Sequence, residues 1–133
     1  MKRIYVSHPI RGKDGANATD ETKAENCKNA IQIANVLRAL TPNKEFYVPA
    51  EHEDFIGKAY KNGFLTEDQI LSIDCQIISK CAAMVVLDFG HISRGMDIEI
   101  KFCRVTGIPC IKIDANAILN LEGEIFVSKK KTS

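Results

Sequence analysis

Apolar residues recur along this chain with two different periods, and the switches between them divide it into elements. Residues 2 to 7, centred on Ile4, Tyr5 and Val6, form a short apolar run that reads as a first strand. Thr19 or Asp20 can cap the element after it. There Cys27, Ala30, Ile31, Ala34, Leu37 and Leu40 repeat at helical spacing until Thr41, Pro42 and Asn43 end the helix. Residues 45 to 48 suit a second strand closed by Pro49, and the stretch from Ala50 through Gly63 a short helix or lid. Thr66 and Gln69 make a capping box that opens a helix striped with Ile70, Ile73, Ile77 and Cys81. Met84 to Gly90 is apolar and rich in β-branched residues, as expected of a strand covered on both faces. His91 to Gly95 has loop chemistry, and helical spacing returns from Met96 to Cys103. Gly107 stops that helix, Ile108 to Ile113 makes a further strand, and Asp114 begins a turn. Leu119 to Val127 fits either a final helix or a short edge strand.

Strands alternating with helices predict a three-layer α/β fold, a flavodoxin/Rossmann-like sheet of mostly parallel strands with helices on both faces. The 133 residues suit one domain, 1–127, followed by a flexible tail at 128–133. Lys129, Lys130 and Lys131 fall in that tail and read as a solvated run. A formal net charge of +1 gives no reason to expect a nucleic-acid polymer as partner. The five cysteines lack a C-x-x-C pair and mostly sit in apolar patterns, which favours free thiols in a reducing compartment. With no signal-peptide pattern and no membrane-length apolar run, the expectation is a cytoplasmic protein without membrane attachment.

Two carboxylates break the pattern. Gly95, Met96, Glu99, Phe102, Cys103 and Thr106 share one helical stripe, with Asp97, Lys101 and Arg104 elsewhere on the helix. Glu99 therefore takes an inward slot just after a buried strand, near the crevice where open α/β sheets bind ligands. Asp74 sits likewise on the stripe between Ile70 and Ile77. Either residue could be a structural carboxylate, capping backbone or pairing with an arginine, or one that grips or attacks a ligand. The turn from Ser7 through Gly15, with Arg11, Gly12 and Lys13, suits an anion, although it matches no established phosphate-loop spacing. Ser93 and Arg94 stand where a helix N-terminus could take a phosphate. Glu51, His52, Glu53 and Asp54 are dense in acids but lack firm metal-ligand spacing, and no metal or other cofactor is expected. Two carboxylates in one crevice suit, among other chemistries, attack on the anomeric carbon of a sugar, and a phosphate together with such a glycosidic centre on one ligand would make a nucleotide.

Residues 4–12, Asp74 in a helix before a strand ending at Asp88, and Ser93 to Glu99, which reads S-x-G-x-x-x-E, together resemble the nucleoside 2-deoxyribosyltransferase superfamily. The resemblance runs to about Asp114. It implies Glu99 as a nucleophile forming a glycosyl ester, and Asp74 contacting the sugar or assisting the departing base. It further implies Ser7, His8, Ile10, Arg11, Gly12, Asp88, Ser93 and Gly95 as substrate contacts, with Ser93 gripping a 5′-phosphate. The branch implied hydrolyses the base–sugar bond of 2′-deoxynucleoside 5′-monophosphates. Base exchange by a deoxyribosyltransferase and nucleotide binding without turnover are the alternatives. The paired acids favour catalysis, since a mere phosphate binder needs neither and both would repel the anion. Departures from the pattern are His8 in place of a small residue and the absence of an arginine before Asp74. Phe46, Tyr47, Tyr60 and Phe89 are all candidates for holding the base, and a homodimer or larger homo-oligomer is implied by analogy.

Overall fold

The computed structural model describes residues 2–121. Its strands are β1 (Lys2–Ser7), β2 (Lys44–Tyr47), β3 (Ala83–Asp88) and β4 (Cys110–Asp114). They form one all-parallel sheet in the order β2-β1-β3-β4. The helices are α1 (Asp20–Leu40), α2 (Glu53–Lys61), α3 (Glu67–Ile78) and α4 (Arg94–Thr106), with short 3-10 turns at Gly12–Asn17 and Pro49–His52. Residues 115–121 are helical as well. The remainder of the ambiguous 119–127 stretch and the 128–133 tail lie outside the described residues. Among the described residues, no helix is long and apolar enough to cross a membrane.

Period-two alternation divides the strand side chains between two cores. Val6 and Leu87 point to one face, where they pack with Cys27, Ala30, Ile33 and Ala34 of α1 and with Ala115. Tyr5, Met84 and Val86 point to the other, against Ile78 of α3 and Met96 and Cys103 of α4. The expected three-layer α/β architecture is present, with its boundaries adjusted. Ile33 rather than Leu40 fills the α1 core, and Leu40 is 73% exposed at the helix end. On α3, Ile78 is fully buried whereas Ile73 is 40% exposed and lines a cavity. All five cysteines are free thiols.

Local signals fix the ends of the helices that carry the unusual residues. Thr66 and Gln69 cap each other's backbone at the start of α3, as expected of the box. Ser93 caps α4 by accepting from the Met96 amide, and Gly107 closes that helix at φ 76°. A Cβ at Gly95 would lie 3.2 Å from Leu71 Cδ2, so glycine lets α3 and α4 approach closely. That approach brings Asp74 and Glu99 to one cavity.

Candidate active site

A cavity of about 430 Å³ lies at the carboxyl ends of the strands, between the loop after β1, α2 and the first turns of α3 and α4. Its size falls within the range of roughly 300–1,000 Å³ usual for small-molecule sites. A hollow of similar volume at the opposite edge, lined by Lys2, Arg3, Glu45 and residues 79–82, lies wide open and holds neither Asp74 nor Glu99. The carboxyl-end cavity is the one with the chemistry.

Glu99 is its central group. Only 5% exposed, it sits one turn beyond Met96 on the buried stripe of α4. Tyr5 and Ser7 are two residues apart on β1, so both side chains project from the same face toward α4. The Tyr5 hydroxyl donates to Glu99 Oε2 at 2.6 Å, and the Ser7 hydroxyl to Oε1 at 2.8 Å. Among the described residues, no lysine, arginine or histidine forms an ion pair with Glu99 or Asp74. A structural arginine therefore does not explain either carboxylate.

Burial pushes the Glu99 carboxyl up to about 7, with the charge of Asp74 adding to the rise and the two hydroxyls opposing it. Burial raises Asp74 to about 6, with the Tyr5 hydroxyl pulling it down and the charge of Glu53 pushing it up. Tyr5 itself is driven well above its ordinary range, by burial first and then by Glu99, so it remains a donor. Near neutral pH the two carboxyl groups tend to share one proton, leaving one acid and one base in the same hollow.

The expected site residues divide into three groups. Ile10, Arg11, Gly12, Ser93 and Gly95 line the cavity with Asp74 and Glu99. Ser7 is fully buried and acts through Glu99, while His8 reaches the cavity with both ring nitrogens already engaged. His8 Nε2 accepts from the Ala50 amide, Nδ1 faces the Pro9 carbonyl, and burial lowers its pKa to about 4. It is a neutral pin between two loops. Asp88 is not brought to the cavity, because its carboxylate accepts from the Gly90 amide and holds the turn after β3.

Of the four candidate aromatics, Tyr47 and Tyr60 line the cavity, whereas Phe46 and Phe89 pack against the α1 core. Tyr47 stacks between Tyr5 and His52, with ring centroids 5.6 Å and 4.9 Å away. The acid-rich segment disperses rather than clusters. Glu51 holds Arg38 through both oxygens, Asp54 pairs with Lys58, and Glu53 turns into the cavity. No group of three His, Cys, Asp or Glu among the described residues is arranged to hold a metal ion.

Tyr5 and Glu67 are not picked out as site residues in the sequence, and His52 and Glu53, which line the cavity, read there only as part of an acid-rich segment without metal-ligand spacing. For Tyr5 a usable signal existed, since a tyrosine shares the parity of Ser7 in a strand otherwise fit for aliphatic residues. No family model, curated protein or solved structure matches the chain.

Proposed function

We propose that the protein is an N-glycosidase that hydrolyses 2′-deoxynucleoside 5′-monophosphates through a covalent ester on Glu99. One observation carries the reading: a buried carboxylate on the cavity wall takes hydroxyl donors on both oxygens and, among the described residues, forms no ion pair. Such a group is oriented and desolvated, yet its charge is left available for a cationic centre that arrives with the substrate. An oxocarbenium-like anomeric carbon is that centre.

In the first step a Glu99 oxygen attacks C1′ and the C1′–N bond breaks, its electron pair leaving with the base. The proton the two acids share, held mainly by Glu99 in the free protein, passes to Asp74 as the substrate binds, and Asp74 gives it to that base. In the second step Asp74 takes a proton from water, the hydroxide attacks C1′, and the ester C–O bond breaks to regenerate Glu99. The products are free base and deoxyribose 5-phosphate. Tyr5 and Ser7 hold the nucleophile in line, and each donor weakens as charge leaves the carboxylate. Arg11, Gly12 and Ser93 offer a cation, a φ of +67° that opens the loop backbone, and a helix N-terminus for the 5′-phosphate.

The test is incubation with ribo- and deoxynucleosides and their 5′-monophosphates, with chromatography for released base. Release from deoxynucleotides, well above a slower release from deoxynucleosides and with none from ribo compounds, is the expected result, and no release from any member would retire the proposal. Adding an acceptor base separates hydrolysis from exchange, since a transferase yields a new nucleoside or nucleotide.

A further inference from the structure

At the cavity rim, two guanidinium groups from distant parts of the chain converge on one carboxylate. Arg11 Nη1 donates to Glu67 Oε2 at 3.2 Å, and Arg94 Nη1 donates to Glu67 Oε1 at 3.1 Å. Each carboxylate oxygen is taken by a different arginine. Arg94 also reaches Asp68 at 3.3 Å, and Arg11 lies 4.0 Å above the Tyr60 ring. Arg11, Glu67 and Arg94 all line the cavity, beside Ser93 at the start of α4.

This arrangement has the form of an anion site already occupied. We propose that Arg11 and Arg94 form the phosphate subsite and that Glu67 is its resident competitor, displaced by the dianion of the incoming substrate. The inference rests on the nucleotide reading above and adds to it a reason for preferring nucleotides to nucleosides. The side chains of Arg94 and Glu67 are 62% and 46% exposed and that of Arg11 is 23% exposed, so the Arg94 pair is the open half of the clasp. Exposed ion pairs of this kind contribute at most about fivefold to an equilibrium. A phosphate brings a second charge and a third terminal oxygen, and arginine binds it through paired charge-assisted bonds, so it outcompetes the carboxylate. Displacement needs little rearrangement. The Thr66–Gln69 box keeps α3 in place, Tyr60 keeps Arg11 in place, and the Glu67 side chain alone swings toward solvent. A nucleoside, lacking the dianion, leaves the clasp closed.

Inorganic phosphate is the probe, titrated calorimetrically into the full chain at constant ionic strength. Glu67→Gln should tighten phosphate binding about fivefold. Asp97→Asn serves as the control. It removes the same charge from the first turn of α4, where Asp97 pairs with Lys101 at 2.8 Å and forms an ion pair with neither arginine. Its effect should stay below about twofold, as expected of a screened charge outside the clasp. Adding Arg94→Ala to Glu67→Gln should abolish the gain. Equal tightening in the two single variants, or a gain that survives the loss of Arg94, would overturn the proposal. The outcome is separable from the glycosidase reading. Tighter phosphate binding by Glu67→Gln in a chain that releases no base would uphold the subsite alone, whereas base release with phosphate affinity indifferent to Glu67 would overturn the clasp alone.

Discussion

The two faces of the sheet are built from the same strands and differ in almost everything else. On the α1 face, Val6, Leu87, Ile33 and Ala34 meet in a core made of hydrocarbon and one thiol. On the α3–α4 face, the neighbouring positions of the same strands present Tyr5 and Ser7 to a buried glutamate, beside a cavity. One residue's displacement along β1 moves from a surface that only stabilises to one that desolvates a charge. The α1 face supplies stability that the other face gives up by burying Glu99 and Asp74.

The largest effects should come from single changes that set these faces against each other. Glu99→Gln should lower turnover by about a thousandfold or more while the chain remains folded, because it removes the attacking oxygen and almost no volume. Ile33→Ala should do the reverse. Ile33 is fully buried, so its truncation should cost about 2–5 kcal/mol in urea denaturation. Turnover per folded molecule should be unchanged. If Ile33→Ala lowered kcat of the folded fraction as much as Glu99→Gln does, the division of labour between the faces would not exist.

The same contrast explains how much of the molecule was legible in its sequence. Periodicity exposed the helices, and the capping box at Thr66 and Gln69 located the start of α3, because both signals are local. Inwardness of Glu99 and Asp74 was legible for the same reason. What makes Glu99 unusual was not, since Tyr5 and Ser7 lie more than ninety positions away and only strand parity links them to it. Asp88 lies outside the cavity because a carboxylate at a strand end can satisfy its own turn as readily as bind a ligand, and here it accepts from the Gly90 amide. Glu67 was hidden more thoroughly. In the sequence it is an acid in the first turn of a helix, and only tertiary structure puts two arginines on it.

Next in size is a pH effect on stability. Glu99 titrates near 7 when folded against about 4.5 when unfolded, so the unfolded chain releases its proton first as pH rises. Stability is lost across that window, by up to about 3 kcal/mol, and Asp74 adds a loss of the same sign toward its value of about 6. His8 works in the opposite direction. Its folded pKa of about 4 lies below its ordinary 6.5, so stability falls as pH drops through that interval. Glu99→Gln should therefore be more stable than the unsubstituted chain at pH 8, with the advantage shrinking to near zero at pH 4.5 and the acid loss from His8 left uncovered. Urea denaturation at the two pH values measures the difference. An advantage of equal size at both would mean that Glu99 is not held protonated by its burial.

The smallest expected effects compare two helix caps, one on each face. Thr19 accepts from the Thr22 amide at the start of α1, and Ser93 accepts from the Met96 amide at the start of α4. Losing either hydroxyl should cost about 1 kcal/mol of stability, or about 4 °C in melting temperature. The Ser93 bond is the longer, 3.3 Å against 3.0 Å, so its structural loss should be the lesser of the two. Activity should rank them the other way. Thr19→Ala alters a cap remote from Glu99 and should leave kcat/KM untouched. Ser93→Ala removes a hydroxyl from the cavity wall and should reduce kcat/KM for nucleotides about tenfold, with little change for nucleosides, as expected of one lost bond to a charged group. Equal losses on nucleotides and nucleosides would place the serine's influence on the α4 backbone that carries Glu99 rather than on the phosphate.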